Sequence, residues 1–265
     1  MCVGAGPSAE DVAVQSHKFG AAHVTICYRW LPLGFALPAN VDQQPRLVAL
    51  TADGHAQFGD GTKAQYDDVV LCTGYLHHYD FMEDALRLRV PPGARHIPQL
   101  YDGCVLDDNP RVFYMGARPP GRFTFCLYDA QAHYVRDVML GRIALPSRDA
   151  RRTAIAADAE RVRKCSTFES IMAEEADYAH GLAQRATDCP QHDFKALCAM
   201  FVEWDASKKL DLTTYRDIRY RSALTGTLAA PPPAPWIELK DEYTNDAFCA
   251  LVWGADGGAA AGAKK

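Results

Sequence analysis

The sequence has no C-x-x-C or C-x4-C pair, although it holds nine cysteines: Cys2, Cys27, Cys72, Cys104, Cys126, Cys165, Cys189, Cys198 and Cys249. Without such a pair a redox dithiol of the disulfide-reductase kind is excluded. An odd, scattered set reads as reduced thiols in a cytoplasmic, reducing compartment. Basic charge is also scarce: 28 Lys and Arg stand against 33 Asp and Glu, a net charge of −5. This argues against nucleic acid as a partner, because phosphate backbones need a basic face. No apolar run approaches the roughly 18–20 residues of a transmembrane helix, so no transmembrane segment is expected. The start of the chain lacks the basic and apolar regions of a secretory leader. Cys189, His192 and Cys198 form C-x2-H-x5-C with no evident fourth ligand, which reads as a loop beside a helix, and no metal is expected. What remains is ordinary globular composition, 265 residues that are 48% hydrophobic. That is enough for one large domain or two modest ones.

The chain opens MCVGAGPSAED. Gly4 and Gly6, followed by Ser8 and the small Ala9, form G-x-G-x-x-A. Glycines let a backbone turn tightly beside a pyrophosphate, and a following helix offers unpaired N–H groups to its charge. Ala9, Val12, Ala13 and His17 recur at helical spacing and predict a helix over 8–18, with Gly20 as its stop. Residues 23–28 (HVTICY) predict a strand that ends at Tyr28 and Arg29. An acid at that point would bond a ribose 2′-hydroxyl. Arg29 instead suits a 2′-phosphate, so NADP(H) is favoured over NAD; the competing reading is a surface arginine at a strand end. Glu10 and Asp11 complement the helix dipole and would repel phosphate, so both are expected to point away or to cap.

Pro32, Pro38 and Pro45 predict a loop over 31–45. Strands are expected at 46–51 and 55–58, around Asp53-Gly54, and a buried strand at 66–72 (YDDVVLC) that ends in Thr73-Gly74-Tyr75. Residues 76–125 read as irregular, broken by Pro91-Pro92-Gly93 and Pro119-Pro120-Gly121, with one strand at 111–115. Helical patterns cover 129–140 and run from Pro146-Ser147 to about 187. There Arg151, Arg152, Arg161, Arg163 and Lys164 alternate with acids, as on a solvated face. Residues 254–265 (GADGGAAAGAKK) read as a disordered tail.

Six blocks follow in order over about residues 2–240: GAGPSAEDVAVQSHKFGA, VTICYR, DDVVLCTGYLHHYDFM, DNPRVFYMGA, YDAQAHYVRDVMLGRIALPS and TTYRDIRYRSALTGT. Together they resemble the flavin-containing monooxygenases. His77-His78 and the Y-R-S-x-x-T-G-T block are most similar to the bacterial trimethylamine monooxygenase branch. The resemblance implies an α/β fold, a partial two-dinucleotide-binding-domain flavoprotein. Its parts would be a Rossmann-like NADPH domain over 1–75 with a truncated first strand, a returning segment of the FAD domain over 76–146, a mostly helical region over 147–253 and the tail. The implied enzyme is an oxidoreductase using NADPH, FAD and O2 to oxygenate a soft nitrogen or sulfur nucleophile, an amine or a sulfide, as in trimethylamine N-oxidation.

By the same resemblance, Gly4, Gly6, Ser8 and Ala9 match the NADPH loop, and Tyr28 and Arg29 match the element facing the adenosine phosphate. Thr73, Gly74 and His77 match the strand end leading back to the flavin, and Thr124 and Gln131 fall where the returning segment meets it. Read alone, Thr73-Gly74 is a buried turn and Gln131 a structural polar residue on a helix. No catalytic residue is assigned. The family's FAD-binding glycine loop, flavin-side asparagine and signature stretch have no counterpart here. Pro7 stands where that branch often has an aromatic residue, and residues 117–122 (ARPPGR) also depart from it. The expectation is a fragment that is poorly stable alone, binds NADP(H) weakly and does not oxygenate. The alternatives are a non-catalytic NADP-binding module or half of a split flavoprotein, partnered by a FAD-domain segment or a second copy.

Overall fold

The computed structural model describes residues 1–118, 123–223 and 225–229. The break at Pro119-Pro120-Gly121, most of the 117–122 departure, Leu224 of the last matching block, Cys249 and the tail lie outside the described residues. The described chain divides into two compact units. One holds Met1–Gly74 and Lys208–Tyr220, the other Tyr75–Ser207 and Arg221–Thr227. Among the described residues no helix is long and apolar enough to cross a membrane.

The first unit opens with β1 (Cys2–Val3), α1 (Pro7–Lys18), β2 (Val24–Cys27) and β3 (Val41–Gln44). An antiparallel meander follows, β4 (Leu47–Leu50), β5 (His55–Phe58) and β6 (Lys63–Gln65), and then β7 (Val70–Leu71). The parallel sheet runs β3-β2-β1-β7. Small Ala9 and Ala13 let α1 settle on this sheet, sealing Cys2, Val24, Ile26 and Val41 beneath it. Gly4 ends β1: its φ of 125° is open to glycine and rare for L-residues.

Three sequence expectations are corrected here. The proline-rich loop over 31–45 contains β3, hidden because V-D-Q-Q shows no strand pattern; its pairing with β2 from Val24↔Val41 to Cys27↔Gln44 holds it extended. After the Gly59-Asp60-Gly61 turn the chain forms β6 before reaching 66–72. Of that apolar run only Val70 and Leu71 pair, and they are 41% and 72% exposed rather than buried. An apolar run implies burial only where both sheet faces are covered, and β7 lies at the sheet edge.

The second unit holds the hairpin β8 (Leu100–Tyr101) and β9 (Val105–Leu106), then α2 (Thr124–Met139), α3 (Arg148–Lys164), α4 (Phe168–Arg185) and α5 (Phe194–Leu210) as far as Ser207. Its core gathers Leu127, Tyr134, Met172 and Leu182. The expected strand at 111–115 reduces to one bridge, Phe113 to Val105. The helical run to 187 breaks between α3 and α4, where Thr167 and Ser170 form a reciprocal cap. Arg151 does not lie on a solvated face: it is buried, with Nε 2.9 Å from an Asp107 carboxylate oxygen. Asp107 lies some forty residues upstream, so its charge could not be paired with Arg151 from local spacing.

Candidate functional site

In the first unit a cleft of about 430 Å³ opens where β1 and β2 end, lined in part by Gly4, Gly6, Arg29, Arg46, Thr73 and Gly74. Ligands of open parallel sheets bind beyond the carboxyl ends of the strands, in such a crevice. Gly4 is held against the neighbouring strand end so closely that a Cβ there would lie 2.1 Å from the Cys72 carbonyl oxygen. Gly6 is the N-cap of α1 in extended conformation (φ −105°), with no side-chain cap and Pro7 in the first turn. A Cβ on Gly6 would meet nothing within 4 Å. The leading N–H groups of α1 are therefore uncapped by any side chain, in the arrangement that receives an anion. Ser8 is exposed in that first turn, and Ala9 is fully buried against the sheet.

The second strand brings its end to the same cleft. The Tyr28 N–H donates to the Gln44 carbonyl at 3.0 Å, and Arg29 is exposed beyond it. Thr73 and Gly74 are exposed cleft residues, not a buried turn. Among the described residues no carboxylate lines the cleft. Glu10 and Asp11 both face away: Glu10 is buried and accepts from Lys208 Nζ at 3.0 Å, and Asp11 pairs with Arg216. Burial pushes the Cys2 and Cys27 thiols up to about 11, so neither adds an anion at neutral pH. The resulting field favours a polyanion. Sequence reasoning missed Arg46 and the exposed Trp30, which line the same cleft. Arg46 was read only as the first residue of a strand.

The remaining expected site residues fall in the second unit. His77 is exposed, and Thr124 is the half-buried first residue of α2. Gln131 is completely buried: its Oε1 accepts from the Gly116 N–H at 2.8 Å and its Nε2 donates to the Tyr178 hydroxyl at 2.9 Å. Both ends of the amide are spent holding α2 to α4 and to the 116 turn.

Comparison with known proteins adds an independent finding. The trimethylamine monooxygenase of Roseovarius nubinhibens is 39% identical over 243 residues, 91% of this chain and 54% of that protein. The solved structure of Tmm from Pelagibacter sp. matches with a TM-score of 0.83 at 35% identity, covering 89% of this chain and 52% of its own. A flavin-containing monooxygenase of Arabidopsis thaliana is 27% identical over 160 residues, 56% of this chain and 33% of that protein.

The chain belongs to the flavin-containing monooxygenase family.

It spans about half the length of the curated relatives it matches, 54% of the Roseovarius protein. No protein-family profile matches it. Of the two cofactors this family implies, the nicotinamide nucleotide fits the residues present, because the Gly4–Gly6 backbone leaves room for a pyrophosphate and Arg29 adds a cation. The flavin fit is poorer. Among the described residues there is one glycine loop of this kind, and each polar atom of the Gln131 amide already holds a protein partner.

Proposed function

We propose that this chain carries the NADP(H) site of a flavin-dependent monooxygenase acting on a soft nitrogen or sulfur nucleophile, with small amines such as trimethylamine as the substrate class. One observation carries the reading: an uncapped helix N-terminus and Arg29 share a cleft that no described carboxylate lines, in a chain 39% identical to a trimethylamine monooxygenase. When bound, NADPH would supply a hydride and FAD the oxygen-activating centre. The chain's own residues bind and orient. The N–H groups following Gly6, with the Ser8 hydroxyl, receive the pyrophosphate, and Arg29 takes the 2′-phosphate. Thr73 and Gly74 border the far side of the nucleotide. In this reading residues 1–75 form the NADPH domain, 76–146 a returning FAD-domain segment and 147–253 a helical region.

A second reading, a non-catalytic NADP-binding module, is favoured by Gln131, whose amide is already committed. Co-expression with the FAD-binding half of a trimethylamine monooxygenase separates the two. Restored flavin absorbance and NADPH-dependent N-oxide formation support the enzyme; nucleotide binding without flavin supports the module. The chain alone is expected to take up no FAD and to show no NADPH-dependent O2 consumption. Stoichiometric FAD on the isolated chain overturns the fragment reading, and absence of any NADP+ binding overturns both.

A further inference from the structure

We infer that Arg46 is a second specificity-determining residue of the nucleotide cleft, forming with Arg29 a two-guanidinium clamp for the 2′-phosphate. This rests on the NADP(H) reading proposed above and goes beyond it, because neither the glycine loop nor the family blocks point to residue 46.

The argument begins with register. The β2–β3 ladder pairs Val24 with Val41 and ends with Cys27 opposite Gln44. The backbone bond from the Tyr28 N–H to the Gln44 carbonyl, 3.0 Å, closes that last pair. Arg29 and Arg46 each follow two positions after the terminal pair of adjacent parallel strands, and both line the cleft. The backbone at Arg46 is pinned: its carbonyl accepts the Gly59 N–H at 2.9 Å, and β4 begins at the next residue. Both side chains are exposed, and neither makes a hydrogen bond or ion pair with a described residue.

Adjacent like charges on neighbouring strands repel one another. Elsewhere in this unit Glu10 is paired with Lys208 and Asp11 with Arg216. Two guanidinium groups without a partner among the described residues, in a cleft that no described carboxylate lines, call for an external anion between them. Guanidinium forks suit the planar arrays of phosphate oxygens. The α1 N-terminus has the geometry to receive the pyrophosphate, so the anion left for the arginine pair is the phosphate on the ribose. Arg29 alone distinguishes a phosphorylated ribose from a free one. Adding Arg46 makes that distinction stronger and more sensitive to salt, since each phosphate–cation contact is screened.

The test is equilibrium binding of NADP+, NAD+, 2′,5′-ADP and 5′-AMP to the full chain, compared with Arg46→Ala, Arg46→Lys and Arg29→Ala. Arg46→Ala is expected to weaken NADP+ and 2′,5′-ADP about tenfold, the scale of one charge-assisted hydrogen bond. NAD+ and 5′-AMP should move less than about twofold, since an exposed side chain contributes little to folding. Arg46→Lys should recover part of the loss. Equal weakening of NADP+ and NAD+ would assign Arg46 to the pyrophosphate and overturn the proposal. Unchanged affinity would overturn it too. If Arg29→Ala abolishes the preference for NADP+ and Arg46→Ala leaves it intact, the clamp fails while the NADP(H) reading stands. If the unaltered chain does not prefer NADP+ over NAD+, the reading beneath it fails as well. Unchanged circular dichroism and melting of each variant exclude misfolding as the cause.

Discussion

Replacing Gly4 by alanine tests the architecture of the cleft at its tightest point. The new Cβ would lie 2.1 Å from the Cys72 carbonyl oxygen and 2.8 Å from its carbon. Both atoms are backbone, so no side-chain rotation relieves the clash, and the two strand ends must separate. Separation strains the β1–β7 pairing, whose flanking bonds, Val70 N–H to the Met1 carbonyl and Cys72 N–H to the Val3 carbonyl, are each 2.8 Å. Loss of two such bonds costs about 2 kcal/mol. Holding alanine at a φ of 125° adds about 1–3 kcal/mol. A destabilisation of about 3–5 kcal/mol lowers the Tm of a chain this size by roughly 6–20 °C. Gly6→Ala is the control. Its φ is ordinary and its Cβ meets nothing, so only a capping preference of about 1 kcal/mol is lost. Its methyl would instead stand where a pyrophosphate must approach, so NADP+ affinity should fall while the fold survives. Calorimetric melting and equilibrium binding of both variants decide the matter. Gly4→Ala melting with the parent chain, or Gly6→Ala melting below Gly4→Ala, would refute the reasoning.

Two further predictions concern groups outside the cleft. Glu10→Gln breaks the buried ion pair between Glu10 and Lys208, and breaking one side of a buried pair costs about 3–5 kcal/mol; urea unfolding should show this, with Glu10→Met/Lys208→Met recovering most of it. Bonds from the Thr214 and Thr213 hydroxyls hold the Asp211 carboxyl down at about 2, against about 3.9 when unfolded. Its contribution to stability is therefore complete above about pH 4 and lost as pH falls through 2. The urea midpoint of Asp211→Asn should be flatter than that of the parent across that window, and identical slopes would remove the assignment.

The local elements of the site were legible because they depend on neighbours in sequence. Ala9, Val12 and Ala13 mark the packing face of α1 at helical spacing, and two glycines just before a helix have few other uses. Glu10 and Asp11 were expected to turn from the cleft on charge alone, and their lysine and arginine partners show how they do so. Gln131 was not legible in the same way. A polar residue on a helix is compatible with a ligand or with a core bond, and only the packing of Gly116 and Tyr178 around it decides between them. β7 failed for a related reason: VVLC reads as interior, but its exposure is set by its place at the sheet edge.

By itself the sequence determined the glycine turn, the helix that follows and the arginine at the next strand end, because each rests on backbone freedom or spacing within a few residues. The tertiary structure alone decided that Arg46 lines the same cleft as Arg29 and that, among the described residues, no acid lines it. Those facts depend on strand register and long-range ion pairing, which arise only when segments distant in the chain meet.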